Sequence, residues 1–193
     1  MAEVYSTFTL ELGAQAPDFT LNDGSGISYS LNDIRGNQGT LVIFACNHCP
    51  FVLHLGDAIS KLANEIKEQG INTIAINSND VANYPADAPA KMVEFAKGYN
   101  WGFPYLYDPT QNIAKAYSAA CTPDFYLLDA DNNLVYLGQF DESRPGNGKP
   151  VNGTDIKAAI HALLSGKPPL ENQLPSSGCN IKWKANNAPS YFG

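Results

Sequence analysis

The sequence predicts an α/β domain: a central mixed β-sheet flanked by helices, with an N-terminal β-hairpin and a helical insertion. Three observations predict it. T-L-V-I-F-A at 40–45 is a continuous apolar run with β-branched residues, the mark of a strand buried on both faces. Leu55, Ile59, Leu62 and Ile66 then form one helical stripe, and I-N-T-I-A-I-N at 71–77 reads as a second buried strand. Strand, helix and strand make a βαβ unit, so the two strands run parallel with a right-handed crossover. The end of the sheet is different. D-F-Y-L-L-D at 124–129 and L-V-Y-L-G-Q-F at 134–140 are joined only by A-D-N-N, which makes an antiparallel hairpin.

The other elements fill in around this frame. P-D-F-T-L at 17–21 and I-S-Y-S at 27–30 flank N-D-G-S-G, a turn-forming stretch, and give the N-terminal hairpin. Ser30 and Asp33 form a capping pair for one short helical turn that Gly36 ends. Residues 78–89 make a long polar loop with two prolines, and a helix follows over 89–98 with Met92, Phe95 and Ala96 on one side. F-P-Y-L-Y-D at 103–108 predicts a short strand, 110–118 a short helix, and Thr154–Leu164 an amphipathic closing helix. The tail beyond Gly166 has no period, but Leu170, Cys179, Ile181 and Trp183 predict that it docks. The expected organisation is therefore one domain over 1–166, with 167–193 packed on it.

Composition excludes several functions. The 193 residues suit one domain with a proper core. A net charge of -7 with a pI near 4.8 argues against nucleic acid or an anionic membrane as partner. No run of apolar residues is long enough to span a bilayer, and the N-terminus has no basic start followed by an apolar core. The expected address is the cytoplasm. Thiols stay reduced there, so Cys46, Cys49, Cys121 and Cys179 point to reactivity, metal binding or burial more than to a disulfide framework.

The chemistry concentrates in F-A-C-N-H-C-P-F-V at 44–52. Cys49 falls where the first buried strand gives way to the long helix, and Pro50 suits the first helical position because its missing N–H has no partner there. Cys49 is then the N-cap, its sulfur facing the free N–H groups of Phe51 and Val52 at the positive end of the helix dipole. Both effects favour thiolate over thiol and lower the pKa below the ordinary value of about 8.5. The end of a central strand is also where open α/β sheets place their sites, so the sulfur is expected to be open to an incoming electrophile. Cys46 is a filled core position or a redox partner. His48 is a proton donor beside the thiolate or a polar loop residue. His54 belongs to the surface or the core. Zinc on Cys46, His48, Cys49 and His54 has suitable ligand types but lacks the second ligand pair of the familiar sites, so no metal is expected. Further on, A-A-C-T-P-D-F-Y-L-L-D at 119–129 puts Thr122-Pro123 just before a strand, a candidate cis peptide bond. Cys121 is a buried loop residue or a thiol near Cys49.

With these residues the chain resembles the thioredoxin-fold redoxins, and most closely the peroxiredoxin-like branch of alkyl hydroperoxide reductase and thiol-specific antioxidant proteins. F-A-C-N-H-C-P, Y-P-A-D-A-P, F-P-Y-L-Y-D, C-T-P-D-F-Y-L-L-D, S-R-P-G-N-G-K-P and S-G-C-N-I-K-W-K carry the resemblance, from about residue 17 to 184. It implies a thioredoxin-like fold, Cys49 as nucleophile and Pro123 as the cis-proline beside it. It also implies an antioxidant or thiol-exchange activity without flavin, nicotinamide or other cofactor. The implied partners are a disulfide or peroxide substrate and a thiol reductant of the thioredoxin or glutathione type, and the chain is compatible with a homodimer. There are departures. His48 stands where thioredoxins have tryptophan, and Val52 stands where they carry the second cysteine. Cys46 replaces the Thr or Ser that precedes the peroxidatic cysteine of peroxiredoxins. Their active-site arginine is missing near Pro123, with Arg144 the one cation considered in its place. Cys46, Cys121, Cys179 or an external thiol would then resolve an oxidised Cys49.

Overall fold

The structure, a computed structural model, describes residues 3–192. The central sheet takes its strands from β2 (Thr20–Asp23), β3 (Ser28–Ser30), β4 (Gly39–Phe44), β5 (Ile71–Asn77), β6 (Tyr105–Tyr107), β8 (Asp124–Asp129) and β9 (Leu134–Gly138). Their order is β3-β2-β6-β5-β4-β8-β9. β4 pairs with β5 in parallel and with β8 antiparallel, so the sheet is mixed as the sequence predicts. A second sheet was not foreseen. Its three strands are β1 (Glu3–Tyr5), β7 (Cys121–Thr122) and β10 (Ser177–Asn180), in the order β1-β10-β7.

Alternation along β4 divides the interior. Leu41 and Ile43 face one core, Val42 and Phe44 the other, because successive strand residues point to opposite faces. The first core is covered by α2 (Pro50–Lys67), α3 (Pro89–Gly98) and α5 (Thr154–Leu164). Leu55, Ile59, Leu62 and Ile66 of α2 are all buried there, each worth about 1.5–3 kcal/mol against exposure. α2 ends near Gly70, whose φ of +83° suits a residue without a Cβ. The second core holds Leu31 and Ile34 of α1 (Leu31–Ile34), Ala114 of α4 (Asn112–Ala116), Tyr117 and Ile181. The Ser30–Asp33 capping box is present, with each partner bonding the other's backbone.

The polar loop after β5 is an ordered part of the protein. Asn77, Ser78, Asn79, Asp80 and Asp87 are all buried, and Pro85–Asp87 forms a single 3-10 turn. Buried polar groups must find partners, and here the C-terminal segment supplies several. The Asp80 amide donates to the Lys182 carbonyl at 2.8 Å, and the Lys182 amide to Asn79 Oδ1 at 2.8 Å. Gln111 Nε2 donates to the Lys182 carbonyl at 2.9 Å. These bonds fix the segment that leads out of β10.

Candidate active site

Cys49 is the N-cap of α2, in extended conformation, with Pro50 as the first helical residue. It lies at the carboxyl end of the β4 side of the sheet, as the sequence predicts. Two features differ from expectation. The sulfur is not open to solvent: Cys49 is 0% exposed. The helix start also contributes little, since the sulfur makes no capping hydrogen bond of regular geometry and the Val52 N–H is the weakest of its favourable contacts. Its thiol pKa is nonetheless driven far down. The thiol of Cys179 is the largest cause and that of Cys46 the next, with the Thr122 side chain helping, and together they outweigh the opposing effect of burial. One contact works the other way, because the Cys49 thiol donates to the Thr122 carbonyl at 3.0 Å, which favours the protonated form. The lowering by the Cys179 and Cys46 thiols prevails over both this contact and burial.

The neighbours come from three parts of the chain. Cys46, 1% exposed, follows β4 and lies 3.4 Å from Thr122 Oγ1. Cys179, 3% exposed, comes from β10. Thr122 comes from β7, just before Pro123, and the Thr122-Pro123 bond is cis. β10 reaches the site by pairing antiparallel with β7, Cys179 opposite Thr122 and Asn180 opposite Cys121. The thiols of Cys46 and Cys179 are both pushed up, first by their interaction with the Cys49 sulfur and then by burial.

Cys121 does not join this cluster. Strand alternation puts it on the other side of β7 from Thr122. There its sulfur bonds the Pro123 carbonyl at 3.6 Å and has Asp124 and Ser6 as neighbours, and burial holds it as a thiol.

His48 is brought beside Cys46 by a residue the sequence reading missed. His48 Nδ1 lies 2.7 Å from Oδ2 of the fully buried Asp87, and the ring stacks on Tyr84 at 5.6 Å. Asp87 is itself anchored by the Asn47 amide at 2.8 Å and by Asn79 Nδ2 at 2.8 Å. Cys46, His48 and Asp87 present a sulfur, a nitrogen and an oxygen all within 4.8 Å of one another. A sulfur, nitrogen and oxygen set of that kind could take a borderline-soft divalent ion, although Asp87 already receives two hydrogen bonds. His54 sits apart, its Nε2 2.6 Å from Ser143 Oγ. Arg144 is tied to the carbonyls of Asp141 at 2.6 Å and Ser143 at 2.8 Å and to Gln139 Oε1 at 2.5 Å. The cavity that Arg144 lines together with Phe51, Pro123 and Ser177 holds only about 10 Å³. That is room for about one water.

Two residues of the site, Asp87 and Thr122, lie in stretches the sequence singles out, Y-P-A-D-A-P and C-T-P-D-F-Y-L-L-D, but the sequence assigns neither a role in the site. Asp87 is an acid between two prolines in a loop, and only the path of that loop past Cys46 gives it a role.

A thiolate-stabilised cysteine at a strand–helix junction, facing a cis-proline loop, on a mixed sheet of this order defines a thioredoxin-like redox protein. The sequence matches the AhpC/TSA family over residues 12–137, and the chain belongs to that family. It is 31% identical over 124 residues to the thiol-disulfide oxidoreductase ResA of Halalkalibacterium halodurans, covering 64% of this chain and 65% of that one. The match thus spans just under two thirds of that relative's length. Among solved structures, an uncharacterized conserved protein from Geobacillus kaustophilus superposes with a TM-score of 0.93 at 49% identity, over 97% of this chain and 99% of that one. The peroxidoxin BcpB of Mycobacterium tuberculosis shares the fold, with a TM-score of 0.58 at 16% identity over 81% and 95% of the two chains.

Proposed function

We propose that the protein is a thiol–disulfide oxidoreductase with Cys49 as its nucleophile. The observation that carries this is the placement of one sulfur: Cys49 caps α2 within 3.0 Å of the Thr122 carbonyl, next to cis-Pro123 and with Cys179 paired opposite Thr122, and its thiol neighbours lower its pKa. A thiolate attacks one sulfur of a substrate disulfide. A new S–S bond to Cys49 forms, the substrate S–S bond breaks, and the second substrate sulfur leaves as a thiolate that takes up a proton. A second thiol then attacks Cys49 or the bound sulfur, and a thiol reductant returns the protein to its starting state.

A hydroperoxide could serve as the electrophile in place of the disulfide, but one feature favours the disulfide. Arg144, the cation considered for polarising a peroxide, spends its donors on Asp141, Ser143 and Gln139. The test is reduction of oxidised glutathione or insulin by the reduced protein, run against hydrogen peroxide. Cys49→Ser is expected to lower disulfide reduction by roughly 1000-fold or more, as loss of a nucleophile does. Undiminished activity in that variant would refute the proposal, and peroxide consumption without disulfide reduction would transfer it to peroxidase chemistry. Alkylation of Cys49 is expected to hold its full rate below neutral pH, where an ordinary thiol is protonated.

A further inference from the structure

We infer that Cys179, carried on the C-terminal strand β10, is the thiol that resolves the mixed disulfide on Cys49. The inference rests on the proposed activity of Cys49 and adds the identity of its partner.

The placement of β10 is the first argument. Cys46 and Cys49 lie in the turn between β4 and α2, and Val52 in the first turn of α2, whereas Cys179 is the neighbour that arrives from the tail. β10 sits between β1 and β7 as the middle strand of the small sheet, and it packs on α2. Pairing of Cys179 with Thr122 sets its sulfur over the residue that precedes cis-Pro123, beside Cys49. Gly178 lets the strand lie this close, since a Cβ there would meet the Thr122 carbonyl oxygen at 2.1 Å. Because Cys49 is fully buried, an incoming disulfide has to open the site. β10 is short, paired over three residues to β1 and two to β7, and an opening there leaves in place the turn that carries both Cys46 and Cys49.

Charge gives the second argument. Once Cys49 is bound to substrate sulfur it no longer carries an anion, and the remaining groups decide which neighbour ionises. Asp87 opposes ionisation of Cys46, whereas Lys182 favours that of Cys179. The Thr122 hydroxyl assists Cys46, but by less than the Asp87 carboxylate opposes it.

The step balances. The Cys179 thiol loses its proton and its sulfur attacks Cys49 Sγ. The Cys49–Cys179 bond forms, the bond to the substrate breaks, and the departing substrate thiolate takes up a proton. The substrate disulfide has then gained two electrons and the protein dithiol has lost two, and an external thiol reductant restores them.

The test uses the full chain, mildly oxidised with oxidised glutathione, alkylated and mapped by mass spectrometry. The wild-type chain is expected to yield a Cys49–Cys179 peptide pair, and Cys46→Ser the same pair. Cys179→Ser is expected to trap glutathione on Cys49 at least tenfold more than wild type. A Cys46–Cys49 pair in the wild-type chain, or trapping in Cys46→Ser in place of Cys179→Ser, overturns the assignment and leaves the nucleophile standing. Failure of Cys49 to take up glutathione in any form removes the activity and the assignment together. Should Cys179→Ser not fold, the wild-type peptide map decides alone.

Discussion

Two flanks meet at the Cys49 sulfur, and they are built differently. On one flank Cys46, His48 and Asp87 belong to the junction of β4, α2 and the loop after β5, where Asn47 and Asn79 clamp the carboxylate. On the other flank Cys179 rides a short strand whose own supports are β1, β7 and the buried Asp124. Ser6 Oγ donates to Asp124 Oδ1 at 2.7 Å, and the Ser176 amide donates to Ser6 Oγ at 3.0 Å. Both flanks offer a thiol to one anion. The first is negative and rooted at the central sheet, the second is held by short strand pairings to β1 and β7. A nucleophile between a fixed wall and a removable one can be shielded at rest and still be reached.

The comparison breaks most sharply at Gly178. In Gly178→Ala the added carbon cannot coexist with the Thr122 carbonyl oxygen at 2.1 Å, and both groups are backbone-fixed, so β10 has to give way. Alkylation of Cys49 is expected to rise by roughly 100-fold, the effect of weakening the strand by about 3 kcal/mol. Amide exchange over 177–180 should rise in parallel while α2 keeps its protection. An unchanged alkylation rate together with a displaced β10 would show that the tail does not guard the sulfur.

The opposite flank is tested at Asp87. Asp87→Ala strips a fully buried acceptor from the Asn47 amide, Asn79 and His48, and should cost roughly 4 kcal/mol in urea unfolding. Asp87→Asn keeps the size and removes the charge. Because Asp87 raises the Cys46 pKa, its neutral substitute should let Cys46 react with iodoacetamide at lower pH than in wild type. An unshifted Cys46 profile in Asp87→Asn would erase the electrostatic contrast between the flanks.

The two flanks were also unequally legible in the sequence. β4, α2 and β5 carry long apolar periods, so their identity, pairing and the N-cap position of Cys49 could be read from spacing alone. Pro123 could be marked because X-Pro is where cis bonds occur, and the bond is cis. β1, β7 and β10 are two to four residues long, with Ser-Gly-Cys-Asn as the central strand, and such segments have no period to detect. They exist because the neighbouring edges pair them. The same reason explains why the sequence points to an open sulfur. Thr122 and Cys179, neighbours of the buried Cys49, come from segments far along the chain, and no local pattern at 44–52 reports them.

The smallest expected effect lies in the support of the tail flank. Asp124 is fully buried, and burial raises its carboxyl pKa to about 6, with the bonds from Ser6 and Tyr126 opposing. The folded chain thus keeps the proton over a range where the unfolded chain has released it, near 3.8. The neutral acid is the form that the fold prefers, so its contribution is complete below about 3.8 and fades as pH rises through about 6. A shift of about two units bounds this contribution at about 3 kcal/mol. Asp124→Asn stays neutral throughout and retains an acceptor for Ser6, so it should lose this fall in stability. Urea unfolding at pH 4 and pH 7 compares them: relative to wild type, the variant should gain up to about 3 kcal/mol between the two. The gain should come with slower amide exchange in β10, because Ser6 links the carboxyl to the Ser176 amide. Parallel stability profiles in the two proteins would mean that Asp124 does not hold its proton, and the tail flank would owe its hold on Cys49 to strand pairing alone.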